Sequence, residues 1–193
     1  MNPNKFTFVP ILNAFPSLQA LEEAKCVHKQ IIQCGCESDA FMGTSLVDFS
    51  LVDMYAKCGS MEGAAKVFNK MTSRDVVSWS AMLSGLVKSG QAQKALELYR
   101  EMQWEGVRPN AVTFVGVLNV CASVAALEEG KCPHEQIIQS GLESDVFVGN
   151  SLVDMYAKCR IMEDVWKVFN RMPSHNVVSW TAIILRHVKC AQG

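Results

Sequence analysis

The chain has 193 residues, 49% of them hydrophobic, and a formal net charge of −1. This apolar content is sufficient for a core, and the balanced charge argues against binding nucleic acids or membrane surfaces through bulk charge, although a local basic groove is compatible with it. The apolar runs are shorter than the roughly 18–20 residues that a membrane span needs, so no membrane partner is expected.

The N-terminal stretch MNPNKFTFVPILNAF contains one lysine and no arginine, and its apolar part continues directly into a repeated segment. Signal and transit peptides have a different composition. We therefore expect that, if the protein works in an organelle, its targeting segment is missing from this chain.

Internal repetition dominates the sequence. Residues 5–39 match residues 111–145 at 21 of 35 positions. Each copy is followed by a segment that contains SLVDMYAKC and VFN. The sequence VVSW begins at residue 76, between the copies, and occurs again at residue 177. The prediction is a single repeat array with units 5–39, 40–75, 76–110, 111–145 and 146–176 and a partial unit at 177–193.

Each unit is predicted to fold as two helices, and the pattern is clearest in residues 76–110. Apolar residues recur there at three- and four-residue spacing, first from Trp79 and again from Ala92. Gly90 ends the first predicted helix, and Gly106 ends the second. One helix pair cannot bury its apolar face alone, so neighbouring pairs must stack into an all-α solenoid.

The eight cysteines raise the question of a disulfide framework or a zinc site. Two pairs recur at matching repeat positions, and the Cys-Gly-Cys spacing is too tight for the usual zinc ligands. We expect reduced cysteines that pack between helices, with no metal and no cofactor. The cysteines are Cys26, Cys34, Cys36, Cys58, Cys121, Cys132, Cys159 and Cys190.

No catalytic arrangement is apparent in the sequence. A cytidine-deaminase-like site needs His-x-Glu and a downstream Cys-x-x-Cys, and the sequence contains neither. A nucleophile elbow and a phosphate-binding glycine-rich loop are also absent. The recurring His28 and His134 are expected to be packing or groove residues. We therefore predict a protein that is not an enzyme and has no small-molecule substrate.

Three interlocking motifs carry a family resemblance. They are VVSWSAMLSG…GQAQKALELYREMQWEGVRPN, TFVGVLNVCASVAALEEGK…H…GLESD and LVDMYAKCG…VFNKM, which together cover nearly the whole chain. This arrangement resembles the plant pentatricopeptide repeat family, in its class with alternating standard (P), long (L) and short (S) motifs. Because the deaminase pattern is missing, the chain resembles a truncated member of the family that lacks a C-terminal deaminase domain.

The resemblance implies a right-handed solenoid that binds single-stranded RNA in a mitochondrion or chloroplast, one base per repeat. The implied role is that of a specificity factor in organellar RNA processing, such as editing or maturation, or a fragment of one. RNA-editing accessory proteins are further candidate partners. A protein-interaction solenoid without RNA binding, like tetratricopeptide arrays, and a degenerate non-functional copy are the alternatives.

The resemblance also implies which residues contact the RNA. The fifth and last residues of a motif read the edge of an unpaired base, and the second residue stacks on it. Ser80 with Asn110 resembles an adenine reader, and Asn150 with Asn176 resembles a pyrimidine reader. Thr181 begins a purine-type pair whose last residue is absent.

The remaining assignments follow the same register. The long units have valine at the fifth position, which cannot form a hydrogen bond, so they are expected to space the RNA or to read it weakly. Their residues are Val9 with Asp39 and Val115 with Asp145, and the base-stacking residues are Val77, Val112, Phe147 and Val178.

A five-residue duplication, SLVDF-SLVDM, leaves two alternatives in the first short unit. If Thr44 keeps the fifth position, Thr44 with Asp75 resembles a guanine reader. If the insert is displaced into the preceding turn, Phe49 takes that position and matches Asn150. The repeated core SLVDMYAKC favours Phe49, because that core should keep its packing.

The polar residues at the fifth positions have an alternative role as helix caps. Ser80, Asn150 and Thr181 lie near predicted helix starts, where such side chains cap free backbone N–H groups. The polar pairs at a fixed register favour base reading over capping.

Several substitutions towards the C-terminus depart from the sister units. Pro133 replaces Val27 inside a predicted helix, where proline costs about 3 kcal/mol or kinks the helix. Arg160 replaces Gly59 at a turn position suited to positive φ. The other replacements are Val165 for Ala64, Arg186 for Gly85 and His187 for Leu86.

Overall fold

The computed structural model describes residues 5–14, 21–34 and 44–191. These residues form helices and turns, with no strand among them, so the predicted all-α class is confirmed. The helices are α1 (Lys5–Asn13), α2 (Leu21–Gln33), α3 (Thr44–Lys57), α4 (Met61–Lys70), α5 (Val76–Lys88), α6 (Ala92–Trp104), α7 (Ala111–Val124), α8 (Leu127–Gln139), α9 (Val146–Lys158), α10 (Met162–Arg171) and α11 (Val177–Ala191), with a 3-10 turn at Leu142–Ser144.

The chain forms two compact units, Met1–Gln91 and Ala92–Gly193. In the first unit, α3 packs against α1, α4 and α5, and α2 lies against α1 and α3. The first helices of consecutive repeats therefore form one layer, and the second helices flank it. Trp79 and Leu83 are buried in this core, as their four-residue spacing predicts, and Leu51 of α3 is buried with them.

The second unit repeats this arrangement. There α9 packs against α7, α10 and α11, and α7 also contacts α6 and α8. Phe114, Leu118 and Val153 are buried between these helices. Helix pairs stacked through their first helices are the architecture that the repeated sequence predicts.

Gly85 allows a close approach between helices of the first unit. A Cβ atom built on Gly85 would lie 2.7 Å from the Cβ of Ala56 on α3 and 2.9 Å from the Sδ of Met61 on α4. A larger residue would push these helices apart, because real Cβ atoms do not come this close to a neighbour. Arg186 occupies the sister position in α11, and its side chain lies outside the described residues.

The turn after α9 contains the predicted backbone conflict. Gly59, after α3, has a φ of 73°, and Arg160, after α9, has a φ of 63°. Glycine adopts this left-handed conformation without strain, whereas a residue with a Cβ pays about 1–2 kcal/mol. Arg160 is therefore strained where its sister residue is not.

Two other departures are accommodated within the helices. Helix α8 continues through Pro133, which is buried, although proline has no N–H to donate to the carbonyl four residues earlier. Val165 is completely buried, as is its smaller sister residue Ala64.

Candidate nucleic-acid interface

The last residues of four predicted units, Asp75, Asn110, Asp145 and Asn176, each cap the first helix of the next unit. In each case a side-chain oxygen accepts a hydrogen bond from a backbone N–H of the first helical turn, which has no partner within the helix. The bonds run from Ser78 N to Asp75 Oδ1 (2.9 Å), from Thr113 N to Asn110 Oδ1 (2.9 Å), from Phe147 N to Asp145 Oδ1 (2.8 Å) and from Ser179 N to Asn176 Oδ1 (3.1 Å).

The fifth residues do not cap these helices, so the capping interpretation of Ser80, Asn150 and Thr181 is wrong. The Ser80 hydroxyl donates to the carbonyl of Val76 at 2.7 Å, and the Thr181 hydroxyl donates to the carbonyl of Val177 at 2.6 Å. Both residues lie one turn inside their helices, beyond the free N–H groups. Ser80 is buried, with 6% of its surface exposed, whereas Thr181 is exposed.

Asn150 and Asn176 meet at one point in the second unit. Asn150 Nδ2 donates to Asn176 Oδ1 at 3.4 Å, and the Ser179 hydroxyl donates to Asn150 Oδ1 at 2.7 Å. Asn150 is half-buried, Asn176 is exposed, and Ser179 is fully buried beneath them. The structure therefore brings this predicted pair together and adds a third residue.

The four predicted stacking residues are all solvent-exposed. The exposed fractions are 46% for Val77, 58% for Val112, 75% for Phe147 and 61% for Val178. Each is the second residue of a first helix and lies two positions after the capping residue. Apolar side chains that are exposed at the same position of successive repeats are available to a ligand and are not part of the core.

The long units present less polar surface. Val115 and Val9 are half-buried on the first helices of their units, and Asp145 caps α9. Asp39 lies outside the described residues. In the repeat 111–145, Asp145 therefore supplies a polar group at the last position, whereas Val115 at the fifth position cannot form a hydrogen bond.

The register of α3 relative to α9 indicates which residue of the duplicated segment lies at the fifth position. The Ser50 hydroxyl donates to the Leu46 carbonyl at 2.8 Å, as the Ser151 hydroxyl does to the Phe147 carbonyl at 3.0 Å in α9. Both helices end at the same lysine of the shared core, and α3, with 14 residues, is one residue longer than α9. Phe49 therefore lies at the position of Asn150, and Leu46, which is 52% exposed, lies at that of Phe147.

This geometry favours the Phe49 alternative. Thr44 begins α3, one turn before the fifth position, and its side chain lies outside the described residues. Asp75 still caps α5, but the fifth residue of its repeat is then Phe49, which cannot form a hydrogen bond.

Cysteine packing is only partly as predicted. Cys58 and Cys121 are buried, and burial raises the pKa of the Cys121 thiol to about 12. The prediction is wrong for Cys26, Cys34 and Cys132, which are exposed because they occupy the outward faces of α2 and α8 or the end of α2. Cys36 and Cys190 lie outside the described residues; among those that are described, no three potential metal ligands cluster.

One groove of the first unit is lined by residues other than the predicted base-reading residues. It has a volume of about 640 Å³ and is lined by Lys25, His28, Tyr55, Lys66 and Lys70, among others on α2, α3 and α4. Lys25 and Lys66 are paired with glutamates at 2.7 Å and 2.6 Å. Within the described ranges, no helix is both long enough and apolar enough to cross a membrane.

The sequence interpretation missed the hydroxyl residues at the third helical position. The Thr113 hydroxyl lies 3.0 Å from Asn110 Oδ1, and Thr113 and Asn110 together form a capping box. Ser179 has the same relation to Asn176 and also reaches Asn150. The signal was present in the sequence as Asn-x-x-Thr and Asn-x-x-Ser before an apolar run.

The sequence matches known repeat proteins along most of its length. A model described as "PPR repeat family" matches residues 74–123, and a model described as "PPR repeat" matches residues 50–76 and 150–177. The chain is 37% identical over 193 residues to the putative pentatricopeptide repeat-containing protein At3g23330 of Arabidopsis thaliana, covering all of this chain and 26% of that protein. It is 38% identical to the chloroplastic protein At4g18520 of the same plant, covering 94% of this chain and 29% of the relative. The chain thus spans about a quarter of the length of these relatives.

Solved structures show the same fold. The crystal structure of pentatricopeptide repeat protein PPR10 in complex with an 18-nt psaJ RNA element has a TM-score of 0.67 and 25% identity, covering 86% of this chain and 24% of that one. The structure of PPR10 from maize has a TM-score of 0.61 and 23% identity, with 94% of this chain and 25% of that one covered. The predicted solenoid class of helix pairs is therefore confirmed.

Proposed function

Because the chain belongs to the pentatricopeptide repeat family, we propose that it binds single-stranded RNA in a sequence-dependent manner through the first turns of its first helices. It does so without catalysis, as a specificity factor for organellar RNA processing such as editing or maturation, or as part of one. The names of several relatives include the word chloroplastic, which supports an organelle as the place of action.

The exposure of the second residues is the observation that carries this proposal. Val112, Phe147 and Val178 are the second residues of three successive first helices of the second unit and present apolar side chains to solvent. Any of the four bases can stack on such a side chain, so the contact gives affinity without a preference for one base. Each of these residues lies two positions after the capping Asn or Asp, so an apolar side chain and a polar group are both present at the start of the helix.

Sequence preference comes from the polar pairs in this proposal. By register, Ser80 pairs with Asn110, and Asn150 with Asn176; Thr181 contributes a single hydroxyl. Watson–Crick edges are available to such side chains only in unpaired RNA. By the same register, Asp75 and Asp145 are paired with Phe49 and Val115, which cannot form hydrogen bonds, and we propose that those units read weakly. Two complete pairs imply modest affinity for the chain alone.

Filter binding with random single-stranded RNA pools tests the proposal. Retention should exceed that of a double-stranded competitor of the same length and fall as salt rises, because phosphate contacts release counterions. The same measurement should be made at two salt concentrations on a variant with Phe147→Ala and Val178→Ala. Retention that is absent, or that does not respond to salt, would favour a protein-interaction solenoid.

A further inference from the structure

We infer that Ser179 is a positioning residue for the Asn150/Asn176 pair, because its hydroxyl sets which way both amides face and thereby favours cytosine over uracil at that position. This inference rests on the proposed function and adds a residue outside the fifth and last positions. Ser179 is fully buried, so water cannot take the place of its partners.

The orientation starts from the backbone. The Ser179 N–H can only donate, so the amide oxygen of Asn176 must face it, at 3.1 Å. The Asn150 group beside that oxygen must then be a donor, and Asn150 Nδ2 lies 3.4 Å from it. Asn150 Oδ1 is therefore turned towards the Ser179 hydroxyl, at 2.7 Å.

The remaining contacts of the Ser179 hydroxyl agree with this assignment. Its oxygen accepts from the Asn176 backbone N–H at 3.1 Å and lies 3.1 Å from Asn176 Oδ1. A hydroxyl has one proton, and the 2.7 Å contact to Asn150 Oδ1 has the better distance for that proton. Both amide oxygens are thus occupied inside the protein.

The groups left for a ligand are N–H donors. Asn176 Nδ2 meets no acceptor among the described residues, and Asn150 Nδ2 keeps a second N–H beyond the one it shares with Asn176. Cytosine offers two neighbouring acceptors, N3 and O2, on its Watson–Crick edge. Uracil carries a donor at N3, so one of its groups would oppose a donor of the protein.

The helix that follows the preceding repeat differs from α11 at the position of Ser179. Val148 occupies the corresponding third position of α9, after Asp145, and is completely buried. It has no hydroxyl, and the repeat that ends at Asp145 has Val115 at its fifth position. A third-position hydroxyl also occurs at Ser78, which donates to the Asp75 carbonyl at 2.8 Å in a repeat whose fifth residue is Phe49. The contact with the amide of Asn150 is what distinguishes Ser179.

The test uses the full chain and a single-stranded RNA selected from a random pool. The nucleotide that faces residues 146–176 is the one whose preference disappears in the double variant Asn150→Ala, Asn176→Ala. Affinities for the cytosine and uracil versions of this RNA are then measured for wild type, Ser179→Ala, Ser179→Thr and Ser151→Ala. Ser151 is the matched control, since it is a buried serine whose hydroxyl donates only to the Phe147 carbonyl, at 3.0 Å.

Ser179→Ala should lower the cytosine-to-uracil affinity ratio about fivefold, the effect of one ordinary hydrogen bond, and leave the preferences at other nucleotides unchanged. Ser179→Thr and Ser151→Ala should keep the wild-type ratio, since Thr113 at the sister position makes the same cap contacts. A wild-type ratio in Ser179→Ala overturns the inference. If that variant melts too low to measure, a lowered ratio in a folded Ser179→Thr overturns it equally.

A second readout separates this inference from the proposed function. The side-chain amide signals of Asn150 and Asn176 in NMR spectra of the free protein should shift and exchange faster in Ser179→Ala than in Ser151→Ala. Failure of the wild type to bind RNA would refute the proposed function and, with it, the role in base choice. Unchanged amide signals would refute the orientation itself, whatever RNA binding shows.

Discussion

The Nδ1 atom of His134 on α8 lies 2.7 Å from the hydroxyl of Tyr156 on α9, and the two rings meet edge to face with 5.5 Å between their centroids. His28 and Tyr55 repeat this contact with the same distances in the other unit. Each pair joins the second helix of a long repeat to the first helix of the following short repeat. The recurrence of histidine in the sequence is thus explained by a packing contact.

We predict that this contact makes stability depend on pH. Burial lowers the pKa of His134 below 6.5, although the carboxylates of Glu143 and Asp164 act in the opposite direction and Arg171 adds to the effect. Burial also raises the pKa of Tyr156 to about 12, so its hydroxyl remains protonated. The unfolded chain then binds a proton on His134 more readily than the folded chain does. The contribution of His134 to stability is present above about pH 6.5 and is lost as the pH falls towards the lower folded pKa.

Thermal melts at pH 7.5 and 5.5 measure this effect. The melting temperature of the wild type should fall between these values, and His134→Gln should show a smaller fall because it has no proton to gain. An equal fall in both proteins would contradict the prediction and assign the pH dependence to other groups.

The repeat pattern was enough to predict the helix pairs, because three- and four-residue spacing and glycine stops act locally. Leu83 is buried and Gly90 has a φ of 70°, as that pattern requires. The partners of the interface residues were harder to predict, since Asn150 and Ser179 are 29 residues apart and meet only through helix stacking. The exposure of Cys132 also could not be read from its repetition, because repeated positions include outward faces.

A second prediction concerns the strained turn after α9. Arg160→Gly should raise the free energy of unfolding by about 1 kcal/mol and the melting temperature by about 2–4 °C, because glycine relieves the left-handed conformation. The reciprocal change Gly59→Arg, at a φ of 73°, is the matched control and should lower stability by a similar amount. An Arg160→Gly variant that melts at or below the wild-type temperature would show that the arginine side chain compensates for the strain.

A third prediction concerns stacking. Phe147 is 75% exposed, so Phe147→Ala should leave the melting temperature nearly unchanged. RNA affinity should fall by about 5- to 150-fold, which corresponds to the 1–3 kcal/mol of one stacked base. Trp104 is 93% exposed at the end of the second helix α6, and Trp104→Ala should keep the wild-type affinity. Equal losses in both variants would show that exposed aromatic residues act non-specifically.

The last prediction concerns base choice at Ser80 and Asn110. The double change Ser80→Asn, Asn110→Asp should move the preference at one nucleotide from adenine towards uracil, as measured by selection from a random RNA pool. Aspartate should preserve the cap of α7, because Asp75 and Asp145 already cap their helices through the same carboxylate contact. Preferences at the nucleotide opposite Asn150 should stay constant and serve as the internal control. If the double variant is folded and its adenine preference is unchanged, these two residues do not read the base, and Ser80, which is 6% exposed and bonded to the Val76 carbonyl, has only a structural role.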